Sequence, residues 1–526
     1  MRLASLFLCL LLVPTAFAGG VGFNVTWYST PVFPNNDIAN GADCEVTTGV
    51  VIADFNRDGI PDVAYSFNSC GSVVRVDGGV IVKLGTGGGK LGPDVTMSND
   101  WGIVPSTLAE VATADLNGDG WLDLVVRDTT SGCLLFAHGN GDGTFPITSN
   151  LGCGAGYVGS FRFGDFNHDR KIDLAEISCD QENAGFPFGT ANCALYVFLG
   201  DGAANFTKVQ SIQLAGPSYD LQSADINGDG ILDLVYVRSN YDSAANTYSG
   251  VGTIRWGRGD GTFATSNAIY LKPAITNPLD AVAIGDFNND GRLDLALLAG
   301  RPCYPGCGSA TADTVWMYKN NGGGNFALAS RTKFAQHGGT ITAADINGDL
   351  NQDLIYYNPF AMGIHPVLRP SGGFQYALGS GQDTLGAQGT LPDNGIDVAA
   401  SFRDMDGDSR ADYAVIDWAS AQLGIGIQTG GFKNCPPPNS ANLAAKICGI
   451  KDGAMVTSPV LVRASGNSPA GVNQLQVWID GKKRYVKWGD QLAKRFTLSP
   501  GKHRIAVTAN DKYIGTAKTI VNVTVP

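Results

Sequence analysis

An all-β chain, a seven-bladed β-propeller of four-stranded blades followed by a C-terminal β-sandwich, is the fold that the 526 residues predict. Three observations carry that expectation. A nine-residue segment, Asp-x-Asn/Asp-x-Asp-x-x-x-Asp, recurs seven times, starting at Asp54, Asp115, Asp165, Asp225, Asp286, Asp345 and Asp404, with intervals of 50 to 61 residues. Each copy lies between two short apolar runs of strand character. The acids are 44 Asp against only 4 Glu, and Asp favours turns where Glu favours helices.

The elements follow in chain order. Residues 1–18 read as a secretory signal: Arg2 is the charged start, Leu3 to Val13 the apolar stretch, and Ala16-Phe17-Ala18 the cleavage site. No other run has the eighteen or so apolar residues of a membrane span, so the expected location is secreted or extracellular, or periplasmic or at the cell surface. Setting Cys9 aside with the signal leaves ten cysteines, an even number suited to an oxidising compartment. They fall into neighbouring pairs: Cys44 with Cys70, Cys133 with Cys153, Cys179 with Cys193, Cys303 with Cys307, and Cys435 with Cys448.

Residues 19–432 are the propeller. In the second repeat Val111 to Ala114 enters the Asp loop and Leu122 to Val126 leaves it. Cys133 to Ala137, a Gly-rich turn at 139–145 and a polar outer strand follow. Four strands per repeat and seven repeats make seven blades, an arrangement that leaves only short edges unprotected. After the seventh loop only three strands remain before Cys435, so Phe23 to Ser29 is expected to supply the missing outer strand.

Side-chain oxygens at positions 1, 3, 5 and 9 of a loop suit a hard cation, and calcium ahead of magnesium, because calcium accepts six to eight oxygens in a flexible shell. The candidate ligands are Asp54, Asn56, Asp58 and Asp62; Asp115, Asn117, Asp119 and Asp123; Asp165, Asn167, Asp169 and Asp173; Asp225, Asn227, Asp229 and Asp233; Asp286, Asn288, Asp290 and Asp294; Asp345, Asn347, Asp349 and Asp353; and Asp404, Asp406, Asp408 and Asp412. The helical calcium hand shares the start of this motif but needs a Glu at position 12 and flanking helices. Val126 and Tyr236 stand at that position here, and strands flank both loops. Position 6 wants glycine for the bend. Arg170, Leu350 and Ser409 replace it in the third, sixth and seventh loops, and the loops from Asp165 and Asp345 rank lowest as cation sites. The formal charge of −12 would become about +2 with seven divalent ions bound, which assigns the acidity to metal rather than to a basic partner.

These loops, the Gly-Asp-Gly-x-Phe turns and the period resemble the FG-GAP/VCBS repeat family, whose propellers are similar to the head of integrin α subunits. The resemblance implies that the carbonyl of position 7 is a further calcium ligand, here that of Ile60, Trp121, Lys171, Ile231, Arg292, Asn351 and Arg410. It also implies an extracellular calcium-bound scaffold, often adhesive.

Residues 433–448 read as a Pro-rich linker, starting near Cys435-Pro436-Pro437-Pro438. Residues 449–526 read as six or seven short strands with an Asp480-Gly481 hairpin turn, suiting an immunoglobulin-like β-sandwich, and their motifs resemble bacterial immunoglobulin-like domains. This part carries 12 Lys/Arg and 4 Asp, so its Lys482-Lys483-Arg484 cluster either contacts an anionic surface or is a solvated face.

No catalytic constellation is visible. The five histidines are scattered, and there is no nucleophile elbow or phosphate loop. The expected function is therefore non-enzymatic, in adhesion or extracellular recognition of a glycan or protein, with no nucleic acid among its partners. The alternative is a polysaccharide-active hydrolase or lyase on the same propeller, which a polar cluster lining the central channel would favour. The recognition surface is expected on the second-turn loops Asn68 to Gly79, Cys179 to Cys193, Ser239 to Gly250 and Gly300 to Asp313. These carry Phe186, Phe188, Tyr241, Tyr248 and Tyr304. Arg258-Gly259-Asp260, an adhesion tripeptide by spelling, falls in a repeat turn and is read as turn structure.

Overall fold

The computed structural model describes residues 21–29, 49–70, 76–96, 108–128, 132–151, 156–180, 192–216, 218–242, 247–273, 279–299, 313–334, 339–349, 351–357, 374–392, 397–406, 410–417, 422–429, 435, 437–438, 440, 442–456, 458, 460–512 and 515–526. Among them every regular element is a β-strand, arranged in small, mostly antiparallel sheets. No helix there is long and apolar enough to cross a membrane.

Seven of these sheets have four antiparallel strands each, and each contains one Asp loop. Their first strands are Val50–Ala53, Leu108–Ala114, Gly156–Gly164, Ser218–Ala224, Leu279–Gly285, Thr340–Ala344 and Asp397–Arg403, and each runs directly into its loop. Every second strand begins at loop position 9, from Asp62 in sheet one to Asp412 in sheet seven. Second and third strands are the apolar ones: Asp294–Ala299 and Cys133–Ala137 are buried along their whole length. Fourth strands such as Phe206–Leu214 are mostly exposed, as their polar sequence requires. Sheet seven takes its fourth strand from the N-terminal segment. Phe23–Ser29 pairs antiparallel with Gln422–Gln428, from Phe23 opposite Gln428 to Ser29 opposite Gln422.

The core is divided among neighbouring sheets. Phe55 of sheet one packs with Leu124 and Leu135 of sheet two, Phe136 of sheet two with Phe161 of sheet three, and Leu195 with Tyr236. Val235 then packs with Leu297, Met317 with Leu354, and Ile355 with Tyr413 and Val415. The series returns on itself, because Ile52, Val63 and Tyr65 of sheet one share a cluster with Ala414, Ile416 and Leu423 of sheet seven. Each sheet thus buries both faces against two others.

The C-terminal part forms a three-stranded sheet (Ala444–Cys448, Val460–Asn467, Gln491–Phe496) and a five-stranded one, and a single cluster around Val462, Leu475, Val477, Ile505 and Val507 joins them. Asp480 and Gly481 turn the expected hairpin with φ of 53° and 80°. Two expectations are corrected. The segment 433–448 is not a spacer to its end, because Ala444–Cys448 pairs with Val460–Asn467 and belongs to the C-terminal sheets. The turn expected over Ser239 to Gly250 is shorter, since strand pairing continues to Asp242 opposite Thr247, and in sheet one to Cys70 opposite Val76.

The disulfides Cys179–Cys193 and Cys435–Cys448 are formed, and Cys133 is also disulfide-bonded. Cys179 and Cys193 are direct cross-strand partners, 4.0 Å apart at Cα. Cys44, Cys153, Cys303 and Cys307, the signal segment, and Phe186, Phe188 and Tyr304 lie outside the described residues. Tyr241 and Tyr248 are described by backbone alone, as a cross-strand pair.

Candidate metal centre

The loops order themselves through backbone N–H groups. In loop four the carboxylate of Asp225 accepts from Gly228 (2.7 Å), Asp229 (3.0 Å) and Gly230 (2.9 Å). Asn227 Oδ1 accepts from Asp229 (2.8 Å), and Asp229 Oδ1 from Ile231 (2.8 Å). The same Asn-to-Asp and Asp-to-position-7 bonds recur in loops one, two, three, five and six. Each of these six turns therefore holds the side-chain oxygens of positions 1, 3 and 5 together through its own backbone.

Position 9 has a second role that spacing did not disclose. All seven aspartates are wholly buried. Each accepts one N–H from loop position 2 and one from the end of the third strand. Asp62 accepts from Phe55 and Gly85 (both 2.7 Å), Asp233 from Ile226 (3.0 Å) and Gly257 (2.9 Å), and Asp412 from Met405 (2.7 Å) and Gln428 (2.8 Å). The carboxylate is a strut tying loop to sheet. The third-strand donor is a glycine in five sheets, which is the signal that marks it, and Asn320 and Gln428 in sheets five and seven. A Cβ at Gly139 would stand 2.2 Å from the Leu122 carbonyl oxygen, so that site requires glycine.

Burial and like charge raise these acids. Burial is the largest cause for Asp62 and Asp233, pushed up to about 7, and for Asp294 and Asp412, pushed up to about 8; the backbone N–H groups oppose it and neighbouring loop acids add to it. Clustered buried carboxylates call for a neutralising cation, and the donor set is all oxygen. One observation tests the fit. Asp54 Oδ1 is buried with no hydrogen-bond partner, as a ligand atom would be. A second lies in loop seven, where oxygens of Asp404, Asp406 and Asp412 come within 4.8 Å of one another. Asp408 and Ser409 lie outside the described residues.

The loops are not equivalent. Arg170 sits at position 6 with φ of 67°, the conformation its glycine counterparts hold at 84° to 91°, so the strain expected there is present. Position 4 also takes positive φ, at Arg57 (56°), His168 (63°) and Asn289 (57°), a demand that the glycines at 118, 228 and 348 could have revealed. Loop five is already supplied with cations. Arg292 and Lys319 both pair with Asp290, and burial depresses the Lys487 amine while Asp286, Asp345 and Asp349 pull it back up. The acids of the fifth loop are thus already faced by protein cations. Arg258-Gly259-Asp260 is a closed turn, its Asp260 held by the Thr262 N–H (2.9 Å) and hydroxyl (2.6 Å).

The C-terminal part rests on this loop side. Lys487 Nζ donates to Asn289 Oδ1 (2.7 Å), and Lys494 Nζ reaches the Asn289 carbonyl (3.5 Å). Arg403, one residue before loop seven, donates to the carbonyls of Ser468 and Pro469. Lys482, Lys483 and Arg484 stay exposed. Between the two parts lies a cavity of about 920 Å³, lined by the first strands of all seven sheets and by residues 466–473, 487–491 and 512.

Residues 115–175 and 225–297 match a family model described as FG-GAP-like repeat, so the chain contains such repeats. Phosphatidylinositol-glycan-specific phospholipase D of Bos taurus is 30% identical over 167 residues, 27% of this chain and 18% of that protein, so the match spans under a fifth of the relative's length. Among solved structures, the V. cholerae biofilm matrix protein Bap1 is 11% identical over 95% of this chain and 76% of its own, with a TM-score of 0.38. A Bacillus licheniformis rhamnogalacturonan lyase is 14% identical over 73% of this chain and 91% of its own, with a TM-score of 0.33. Likenesses at these scores carry no argument about what this chain does.

Proposed function

We propose that this chain is a secreted, calcium-stabilised seven-bladed β-propeller (residues 19–432) with a C-terminal immunoglobulin-like β-sandwich (449–526), and that it acts without catalysis in extracellular recognition or adhesion toward a glycan or protein. The recurrence of one self-ordered oxygen loop in six of the seven sheets, with the acids Asp404, Asp406 and Asp412 gathered in the seventh, carries this reading. The cyclic succession of shared cores and the two-sheet C-terminal core support the architecture. Calcium would be held by side chains at positions 1, 3, 5 and 9 and the position-7 carbonyl, and would neutralise their charge.

Extracellular modules bind calcium with dissociation constants of ~0.1–1 mM, so millimolar calcium stabilises each site by roughly 0.4–1.4 kcal/mol and the set by several kcal/mol. The test is the melting temperature and the bound-ion count in 2 mM calcium and in excess chelator, for the full chain and for Asp225→Ala. Calcium should raise the melting temperature, and the variant should bind one ion fewer. A melting temperature indifferent to the chelator sinks the proposal.

One observation favours the second reading, a polysaccharide-active enzyme. The central cavity is lined by charged side chains, among them Arg162, Arg403, Lys512 and Asp490. Release of new reducing or unsaturated ends from an acidic polysaccharide, abolished by Asp490→Asn, would replace the binder with a hydrolase or lyase.

A further inference from the structure

We propose that the cavity between the seven sheets and the C-terminal part binds a small organic oxyanion bearing hydroxyl groups, of the sugar-acid class, with Lys512 as the charge that receives it. This deepens the recognition reading above by naming the site and the chemistry of its ligand.

Five cations line the cavity from separate parts of the chain: Arg162 from sheet three, Arg403 and Arg410 from sheet seven, Lys487 from the C-terminal sheets, and Lys512 from the turn after the strand Gly501–Asp511. Four of them are engaged, Lys487 with Asn289 and Arg410 with a partner of its own. Arg162 pairs with Glu110 (2.8 Å) and Asp220 (3.5 Å) and donates to Gln222 Oε1 (3.2 Å). Arg403 is held by backbone carbonyls and feels the charge of Asp490. Lys512 differs. Its side chain lies over Gly471, and no carboxylate among the described residues pairs with it. Lys512 keeps solvent contact where it faces the cavity, and the surrounding protein, then the guanidiniums of Arg403 and Arg162, depress its amine. Cations facing one solvent-filled cavity make a positive field that attracts an anion, and Lys512 is the one left open to meet it.

The other acids at the wall are committed. Asp345, Asp404 and Asp406 belong to the cation loops, and Asp490 faces Arg403. Two neutral polar groups on the same wall are unspent. The Gln491 side chain has both amide atoms buried without a partner, and so has the indole N–H of Trp488. An amide that can donate and accept, beside an indole donor, matches hydroxyl groups rather than a second charge. At about 920 Å³ the cavity has the size of a small-molecule site, well beyond what an inorganic ion fills.

The experiment is calorimetric titration of the full chain in calcium, at fixed ionic strength, with sodium D-glucuronate, D-glucose and sodium sulfate in separate arms. Glucuronate should bind, and glucose at least tenfold more weakly. Lys512→Met should weaken glucuronate at least tenfold without lowering the melting temperature, since it removes a repelled charge, while Lys512→Arg should retain binding. No binding of glucuronate, equal binding of glucose, or an unchanged Lys512→Met overturns the proposal. Sulfate binding as tightly as glucuronate, an adventitious ion only, overturns it too. Calcium binding is counted on the same samples, so failure of this site and failure of the calcium reading are told apart.

Discussion

Single residues here bear strain and buried charge that their neighbours make tolerable. Arg170 holds φ of 67° at a position where other loops have glycine. Arg170→Gly should therefore stabilise the protein by about 0.5–1 kcal/mol, read from the denaturant midpoint, because relief of the left-handed conformation outweighs the added unfolded-state entropy. A loss of stability would show that the arginine side chain matters more than its backbone. Glu176 makes a different case. Burial pushes its carboxyl up to about 7, opposed by Lys208, and it is 8% exposed. A carboxyl raised above its unfolded value of about 4.3 binds more protons in the folded state, so stability falls as pH rises from about 4 to 7. Glu176→Gln should thus gain about 1–3 kcal/mol at pH 8 and almost nothing at pH 4. An equal gain at both pH values would mean that charge is not the cause.

At the scale of elements, the N-terminal strand has the largest single effect to give. Phe23–Ser29 covers the edge of Gln422–Gln428, and the Tyr28 hydroxyl accepts the Leu91 N–H (3.0 Å), linking sheet seven to sheet one. Removing residues 21–29 would leave a row of unpaired backbone groups, the kind of edge that recruits another chain. Such a truncation should lower the melting temperature by roughly 5–15 °C and promote self-association, and a synthetic peptide of residues 21–29 should reverse both. A truncated protein that stays monomeric at full stability would deny this strand a closing role.

Across the whole molecule, charge is divided and then brought together. The acidic loops of sheets five and six meet the basic C-terminal part at Lys487, which is 5% exposed and hydrogen-bonded to Asn289. Lys487→Glu would place an acid among Asp286, Asp345 and Asp349 and should weaken docking by about 2–5 kcal/mol. Small-angle scattering should then show a larger maximum dimension than the parent in the same buffer. An unchanged scattering profile would mean that Arg403 and the apolar contacts of Trp488 suffice to hold the two parts together.

By itself the sequence determined what is local and periodic. The Asp loops, the strands on either side, the return of Phe23–Ser29 to the last sheet, and the Cys179–Cys193 and Cys435–Cys448 bridges follow from spacing, alternation and turn chemistry, which act within about sixty residues or close a repeat count. The tertiary structure alone decided the rest. Which carboxylate becomes a buried strut depends on an N–H delivered from a strand some twenty residues on, as with Gly257 and Asp233. That loop five has its own cations, that Ala444–Cys448 joins the C-terminal sheet, and that Lys512 meets Arg162 and Arg403 in one cavity depend on groups up to some 350 residues apart. A repeat fixes the unit and the count of units. It leaves open which side chains, one from each of several units, will face each other across the space they enclose.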